Sequence, residues 1–135
     1  MSPARADIQE LVHAYLARHP GERDSLRPLL ALLEQSPAPT DRATMPAHIT
    51  CSAVVVNADR RVLHIHHKAS GLVICPGGHA ETGDPDLLGV ALREVREEAG
   101  IAPGDLCLTP QLLDAPIDID VNVSRDTIVG TTLVR

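Results

Sequence analysis

The sequence predicts an α/β fold: a mixed β-sheet with helices on its faces, preceded by an N-terminal helical hairpin. Three observations carry that expectation. Ile49 to Val56 is a β-branched run with turn chemistry after it, which reads as a strand entering a hairpin. Asp84 to Gly100 places apolar residues at helical spacing between a helix start and a glycine stop. Ile117 to Val123 alternates apolar and polar residues without a break, the period of a half-buried strand. A chain of 135 residues fits one domain with a small appendage. The hairpin and a linker are assigned to residues 1–47 and the main domain to 48–135.

In chain order, Ser2-Pro3 opens the first helix, whose apolar face is Ile8, Leu11, Val12, Tyr15 and Leu16. His19-Pro20-Gly21 ends it. A second helix runs from about Ser25 to Gln35, with Pro28 tolerable only in its first turn. Its leucines give it a core-facing stripe, so the two helices are expected to pack as an antiparallel hairpin on the main domain. A dimerisation arm or a substrate lid is the functional alternative. Ser36 to Pro46 is rich in Pro, Ala, Thr and Asp and reads as a linker. After the strand from Ile49, Asn57-Ala58-Asp59-Arg60 turns the chain and Arg61 to His67 returns. His64 and His66 share one strand face and His67 takes the other. Exposed histidines or substrate contacts are the favoured reading there over a metal pair. Leu72 to Cys75 is expected as a short buried strand. Beyond the central helix, Ala102-Pro103-Gly104 forms a loop. Short strands are expected near Leu106 to Leu108 and Gln111 to Asp114, with a last one at Thr127 to Val134 after a turn at Ser124-Arg125-Asp126.

Composition narrows the function. A net charge of −6 argues against binding a nucleic-acid polymer, which needs a basic surface. It is compatible with a small phosphorylated substrate bridged by metal. The sequence lacks Phe and Trp, and its one Tyr is Tyr15, so the core must be aliphatic. Cys51, Cys75 and Cys107 are far apart and form no CxxC pair, which favours reduced thiols and a cytoplasmic location. No apolar run is long enough to span a membrane, and no signal peptide is recognisable.

The most informative stretch is Pro76 to Ile101. Asp84-Pro85 reads as N-cap and first helical residue, and Gly100 as the left-handed stop. Leu88, Ala91, Leu92, Val95 and Ala99 fall on one stripe. At about 100° per residue, Glu94, Glu97 and Glu98 share a face beside it, with Arg93 flanking Glu97. Like charges at this spacing destabilise a helix. Arg93 can neutralise one carboxylate, and a hard divalent cation can take the others while binding substrate phosphates. Gly77 and Gly78 form a turn where backbone can approach a ligand closely.

This ordered set resembles the Nudix box: Gly, five residues, Glu, seven residues, Arg-Glu-apolar-x-Glu-Glu-x-Gly-apolar. Gly78 begins it, and Arg93-Glu94-Val95-Arg96-Glu97-Glu98-Ala99-Gly100-Ile101 completes it without mismatch. Two departures lie between. Asp84 stands where the family has its first Glu, and the spacer from Asp84 to Arg93, Pro85 to Leu92, is one residue longer than the family's. Asp84 is read equally as an N-cap or as part of the site.

The resemblance implies a Nudix-like mixed sheet and hydrolysis of a diphosphate bond in a nucleoside diphosphate derivative. It implies Mg²⁺, or Mn²⁺, on Glu97 and Glu98, with Glu94 as a further ligand or general base, the Gly77 carbonyl completing the metal site, and Arg93 holding the glutamates. Gly77, Gly78 and His79 are the candidate substrate contacts. The chain is expected to be short at its end: no Glu follows Glu98, and Arg135 comes directly after an expected strand. The fold's closing layer would then come from the N-terminal hairpin or from a second copy in a homodimer. A catalytically weak or inactive nucleotide-binding module, or a truncated domain needing a partner chain, therefore stays open. From His48 on there is no aromatic ring to stack a nucleobase, so weak base selectivity is expected.

Overall fold

The structure, a computed structural model, describes residues 2–108, 110 and 115–122. The expected α/β architecture is present: among the described residues, three α-helices longer than a single turn lie around small antiparallel sheets. Helix α1 spans Arg5–Arg18 and α2 spans Arg27–Gln35, with a 3-10 turn at Pro20–Glu22 between them. Pro28 sits in the first turn of α2, where its missing N–H costs nothing. The helices run antiparallel. Arg5 Nη1 donates to the Ser36 carbonyl at 3.4 Å and Gln9 Nε2 to the Leu33 carbonyl at 3.2 Å, while Tyr15 Oη reaches Glu22.

The hairpin is packed into the core. Ile8, Val12, Tyr15, Leu16, Leu26, Leu29, Leu32 and Leu33 belong to one buried cluster with Ile49, Cys51, Val90, Val95 and Ile119. The sole aromatic ring, Tyr15, is 1% exposed and ties the hairpin to the far end of the chain. Its hydroxyl lies 2.9 Å from both Glu22 carboxylate oxygens and 3.3 Å from Asp118. Burial first, then these carboxylates, push it up to about 12, with the Ile119 backbone acting the other way. The linker is not slack either: Pro39 and Thr40 are buried, and the Pro39 carbonyl accepts from the Ile49 amide at 2.7 Å.

Four short strands follow: β1 (Thr50–Ser52), β2 (Ile65–His66), β3 (Val73–Ile74) and β4 (Gly77–His79). Strand β1 pairs antiparallel with β4, and β2 with β3. The predicted hairpin around residues 57–60 is there, closed by a Val56–Val62 bridge and an Arg60 in the left-handed region. Its ladders are much shorter than the runs Ile49–Val56 and Arg61–His67 suggested. Leu72 and Val73, expected in a buried strand, are 58% and 57% exposed, because β2–β3 is a two-stranded ribbon with one uncovered face.

Three expectations need correction. Gly77 and Gly78 are not a free turn but strand β4. Residues 106–108 form no ladder. Residues 117–122, expected as a strand, are irregular, although Ile119 is buried and Val121 half-buried while Asp118 and Asp120 face out. Alternating burial needs only extended backbone, not a neighbouring strand, so the periodicity sorted inside from outside without specifying a ladder. Ile117 breaks the alternation at 47% exposed. The expected elements at 111–114 and from 123 onward lie outside the described residues.

Helix α3 (Leu87–Ala99) lies against β1 and β4. Its buried stripe is Leu87, Val90, Ala91, Glu94 and Val95, rotated from the predicted one, with Leu88 and Leu92 only half-buried. Because the N-terminal leucines share a core with α3, deleting residues 1–40 should leave the face of Ile49, Cys51 and Val90 uncovered. Such a chain is expected to be insoluble. A soluble monomer with cooperative unfolding, by size exclusion and melting, would contradict this.

Candidate active site

The site is built where β4 runs under α3. Pro76 O accepts from Ala53 N at 2.8 Å, so Ala53 and Pro76 form a hydrogen-bonded pair and Cys51 and Gly78 the next one. The Gly77 and His79 carbonyls therefore point off the open edge of the ribbon. Gly78 faces α3: a Cβ there would lie 2.5 Å from Glu94 Oε1. Its glycine makes room for a glutamate, and its amide and carbonyl are used by the ladder rather than left for a ligand.

The start of α3 differs from the prediction. Asp86, not Asp84, is the N-cap, its Oδ1 accepting from the Gly89 amide at 2.7 Å. Asp84 is 5% exposed. It accepts from the Glu81 amide at 2.7 Å and from Arg93 Nε and Nη2, each at 3.0 Å. The extra spacer residue is absorbed by Asp84-Pro85-Asp86, and the Pro85 ring sits on Gly89, where a Cβ would meet its Cδ at 2.8 Å. The stop is as expected: Gly100 takes φ 70°.

Arg93 gathers the rest. Nη2 donates to the His79 carbonyl at 2.8 Å, and Nη1 to Glu94 Oε1 at 3.1 Å and Glu97 Oε2 at 3.0 Å. Glu81 lies 3.6 Å away. Burial works to raise the Asp84 carboxyl, but the Arg93 and Glu81 hydrogen bonds and the Arg93 charge outweigh it and hold the group below its ordinary range. Hydrogen bonding to Asp84, against burial, raises the Arg93 guanidinium. The sequence suggested that Arg93 neutralises one carboxylate; it touches four.

Glu94 is 8% exposed. Burial, followed by a hydrogen bond with Glu98, pushes its carboxyl up to about 7, against the pull of Arg93. Glu98 Oε2 is buried with no hydrogen-bond partner. Glu97 is half exposed. Among the described residues, no three of His, Cys, Asp and Glu converge as a ready metal set. A buried carboxylate oxygen without a hydrogen-bond partner is nevertheless the donor chemistry that hard divalent cations take.

On the opposite face of β4, His79 Nε2 lies 3.0 Å from His48 Nε2. His48 is 5% exposed, and its Nδ1 is buried without a partner. Both imidazoles are held below their ordinary value, by burial first and then by the nearby Arg42 charge. Sequence reasoning named His79 but missed His48. The available signal was its place two residues before Thr50, on the same strand face. His64 and His66 are exposed on the outer ribbon, and His67 Nδ1 pairs with Ser70 Oγ at 2.7 Å in the following turn.

A NUDIX domain model matches residues 46–123, more than half the chain. The chain belongs to the Nudix family. Among curated proteins none matches it. The family is one of pyrophosphohydrolases that generally use divalent metals such as Mg²⁺. In this member the box arginine and its aspartate form the structural hub. No described helix is long and apolar enough to cross a membrane.

Two stability effects follow for the metal-free protein. Asp84→Asn should cost about 3 kcal/mol, because it strips a nearly buried guanidinium of its main partner. The Asp84 contribution is present above the carboxyl's unfolded value and is lost as pH falls through its depressed folded value. Glu94 has the opposite sign. Its raised folded pKa means stability declines as pH rises from about 4.5 to about 7. Melting curves in chelator should show that decline, with Glu94→Gln flattening it. An unchanged slope in the variant would contradict the assignment.

Proposed function

We propose that this protein hydrolyses a diphosphate bond in a small nucleoside diphosphate derivative, using a divalent cation held by Glu94, Glu97, Glu98 and the Gly77 carbonyl. One observation carries the reading: the Glu98 carboxylate oxygen that is buried without a hydrogen-bond partner, on the same helix as the buried Glu94. When bound, Mg²⁺ or Mn²⁺ neutralises phosphate charge and lowers the pKa of a bound water. The chain's own residues supply the rest. Arg93, fixed by Asp84, keeps the glutamates apart and the β4 edge in place. Glu94 is either a further ligand of the cation or the general base that takes the proton of the attacking water. Water adds to one phosphorus, the bridging P–O bond breaks, and the departing phosphate carries away the electron pair. A cytoplasmic nucleotide pool is the natural source of such a substrate.

The lack of a preformed three-carboxylate set among the described residues, with Glu97 held by Arg93, favours a second reading: a weakly active module that binds a nucleotide. A domain completed by a partner chain is a third. A Mg²⁺-dependent screen of nucleoside diphosphate derivatives, read as released monophosphate or phosphate, separates hydrolysis from binding. Preference among the four bases should be weak. Glu97→Gln and Glu98→Gln should each lower kcat by about a hundredfold or more while leaving the circular dichroism and melting intact. Full activity in either variant would overturn the assignment.

A further inference from the structure

Of the four acidic side chains that meet Arg93 among the described residues, Glu81 has no part in the reading above. A guanidinium carries five N–H groups. Three of them serve the fold: Nε and one N–H of Nη2 on Asp84, and the other N–H of Nη2 on the His79 carbonyl. The remaining two, both on Nη1, are accepted by Glu94 Oε1 at 3.1 Å and Glu97 Oε2 at 3.0 Å. Those are two of the three glutamates assigned to the cation. A divalent cation there draws on the same carboxylates and repels the guanidinium. Arg93 is 19% exposed, so donors released from the glutamates are poorly placed to turn to water, and an unmet donor on a charged group is costly.

Glu81 lies beside these two donors without being engaged by them. Its carboxylate is 3.6 Å from Nη1, just beyond hydrogen-bond length, and its side chain is 64% exposed. Its backbone, by contrast, is fastened to the same hub. The Glu81 amide donates to Asp84 Oδ2 at 2.7 Å, and the Glu81 carbonyl accepts from the Asp84 amide at 3.1 Å. A free carboxylate on a pinned stem can close the remaining gap by side-chain rotation alone. We infer that Glu81 is a positioning residue: it is the acceptor that takes over Arg93 Nη1 when a divalent cation engages Glu94 and Glu97. It thereby holds the arginine in place while the cation is bound. The inference rests on the cation site proposed above, and its test needs no turnover.

The test is Mg²⁺ binding to the full chain by isothermal titration calorimetry, beside proton–nitrogen NMR of the Arg93 guanidinium. Without metal, Glu81→Ala should keep Tm and the Arg93 signals close to those of the wild type, because an exposed contact of this length contributes little. Its Mg²⁺ affinity should fall about tenfold. Glu81→Gln, whose amide oxygen can still accept, should recover part of that loss. An unchanged affinity in Glu81→Ala overturns the inference. An equal loss in both variants also overturns it, since that is the mark of charge acting at a distance. At saturating Mg²⁺ the Arg93 Nη1–H signals should stay protected from solvent exchange in the wild type and lose protection in Glu81→Ala. Protection lost in the wild type, or kept in the variant, contradicts the exchange of acceptors. If the wild type binds no Mg²⁺, the proposed cation site fails and takes this inference with it. If it binds and Glu81→Ala binds equally well, the inference alone fails.

Discussion

The guanidinium of Arg93 is the constraint on which the site depends. Four acidic side chains and a strand carbonyl converge on it, at an exposure of 19%. Without it, α3 would place three glutamates against a ribbon edge with nothing to offset their repulsion, in a helix where like charges already cost stability. Desolvating a guanidinium is itself expensive, and the cost is recovered only if its donors are used. Here Nε, Nη1 and Nη2 all are. The same cation fastens α3 to β4 through the His79 carbonyl, so packing and site electrostatics are one structure.

The two departures from the family pattern compensate each other. Asp is one methylene shorter than Glu, yet Asp84 still reaches Arg93 at 3.0 Å. The additional residue lets the chain turn through Pro85 and start the helix at a new N-cap, Asp86. Gly89 follows from that arrangement, since a side chain there would strike the rigid Pro85 ring. A glycine inside a helix costs up to about 1 kcal/mol relative to alanine, and the Pro85 contact explains why it is tolerated.

Local chemistry was legible in the sequence, and partnership was not. The two N-terminal helices, the Gly100 stop and the shared face of Arg93, Glu94, Glu97 and Glu98 follow from spacing, because each depends on neighbours a few residues away. Asp84 illustrates the limit. An aspartate before a proline is a good N-cap on local grounds, but an arginine nine residues on offers it charge and two donors, Nε and Nη2, and the tertiary interaction wins. Glu94 could not be placed in the buried stripe from periodicity, since its burial depends on Gly78 lacking a side chain one strand away. His48 was hidden for the same reason: its partner, His79, is distant in sequence. The glycines of β4 read as a turn because strand glycines carry no β signal, only a backbone that can accept a close neighbour.

The central claim is that this carboxylate cluster is a divalent-cation site held open by Arg93 and Asp84. Thermal unfolding with increasing Mg²⁺ tests it without knowledge of the substrate. A ligand that binds only the folded chain raises Tm in a saturable way. The account predicts such a rise for the wild-type protein. It predicts none for Glu98→Gln, whose metal-free Tm should equal or exceed that of the wild type because one crowded charge has gone. No Mg²⁺-dependent rise in the wild type, or an undiminished rise in Glu98→Gln, would contradict it.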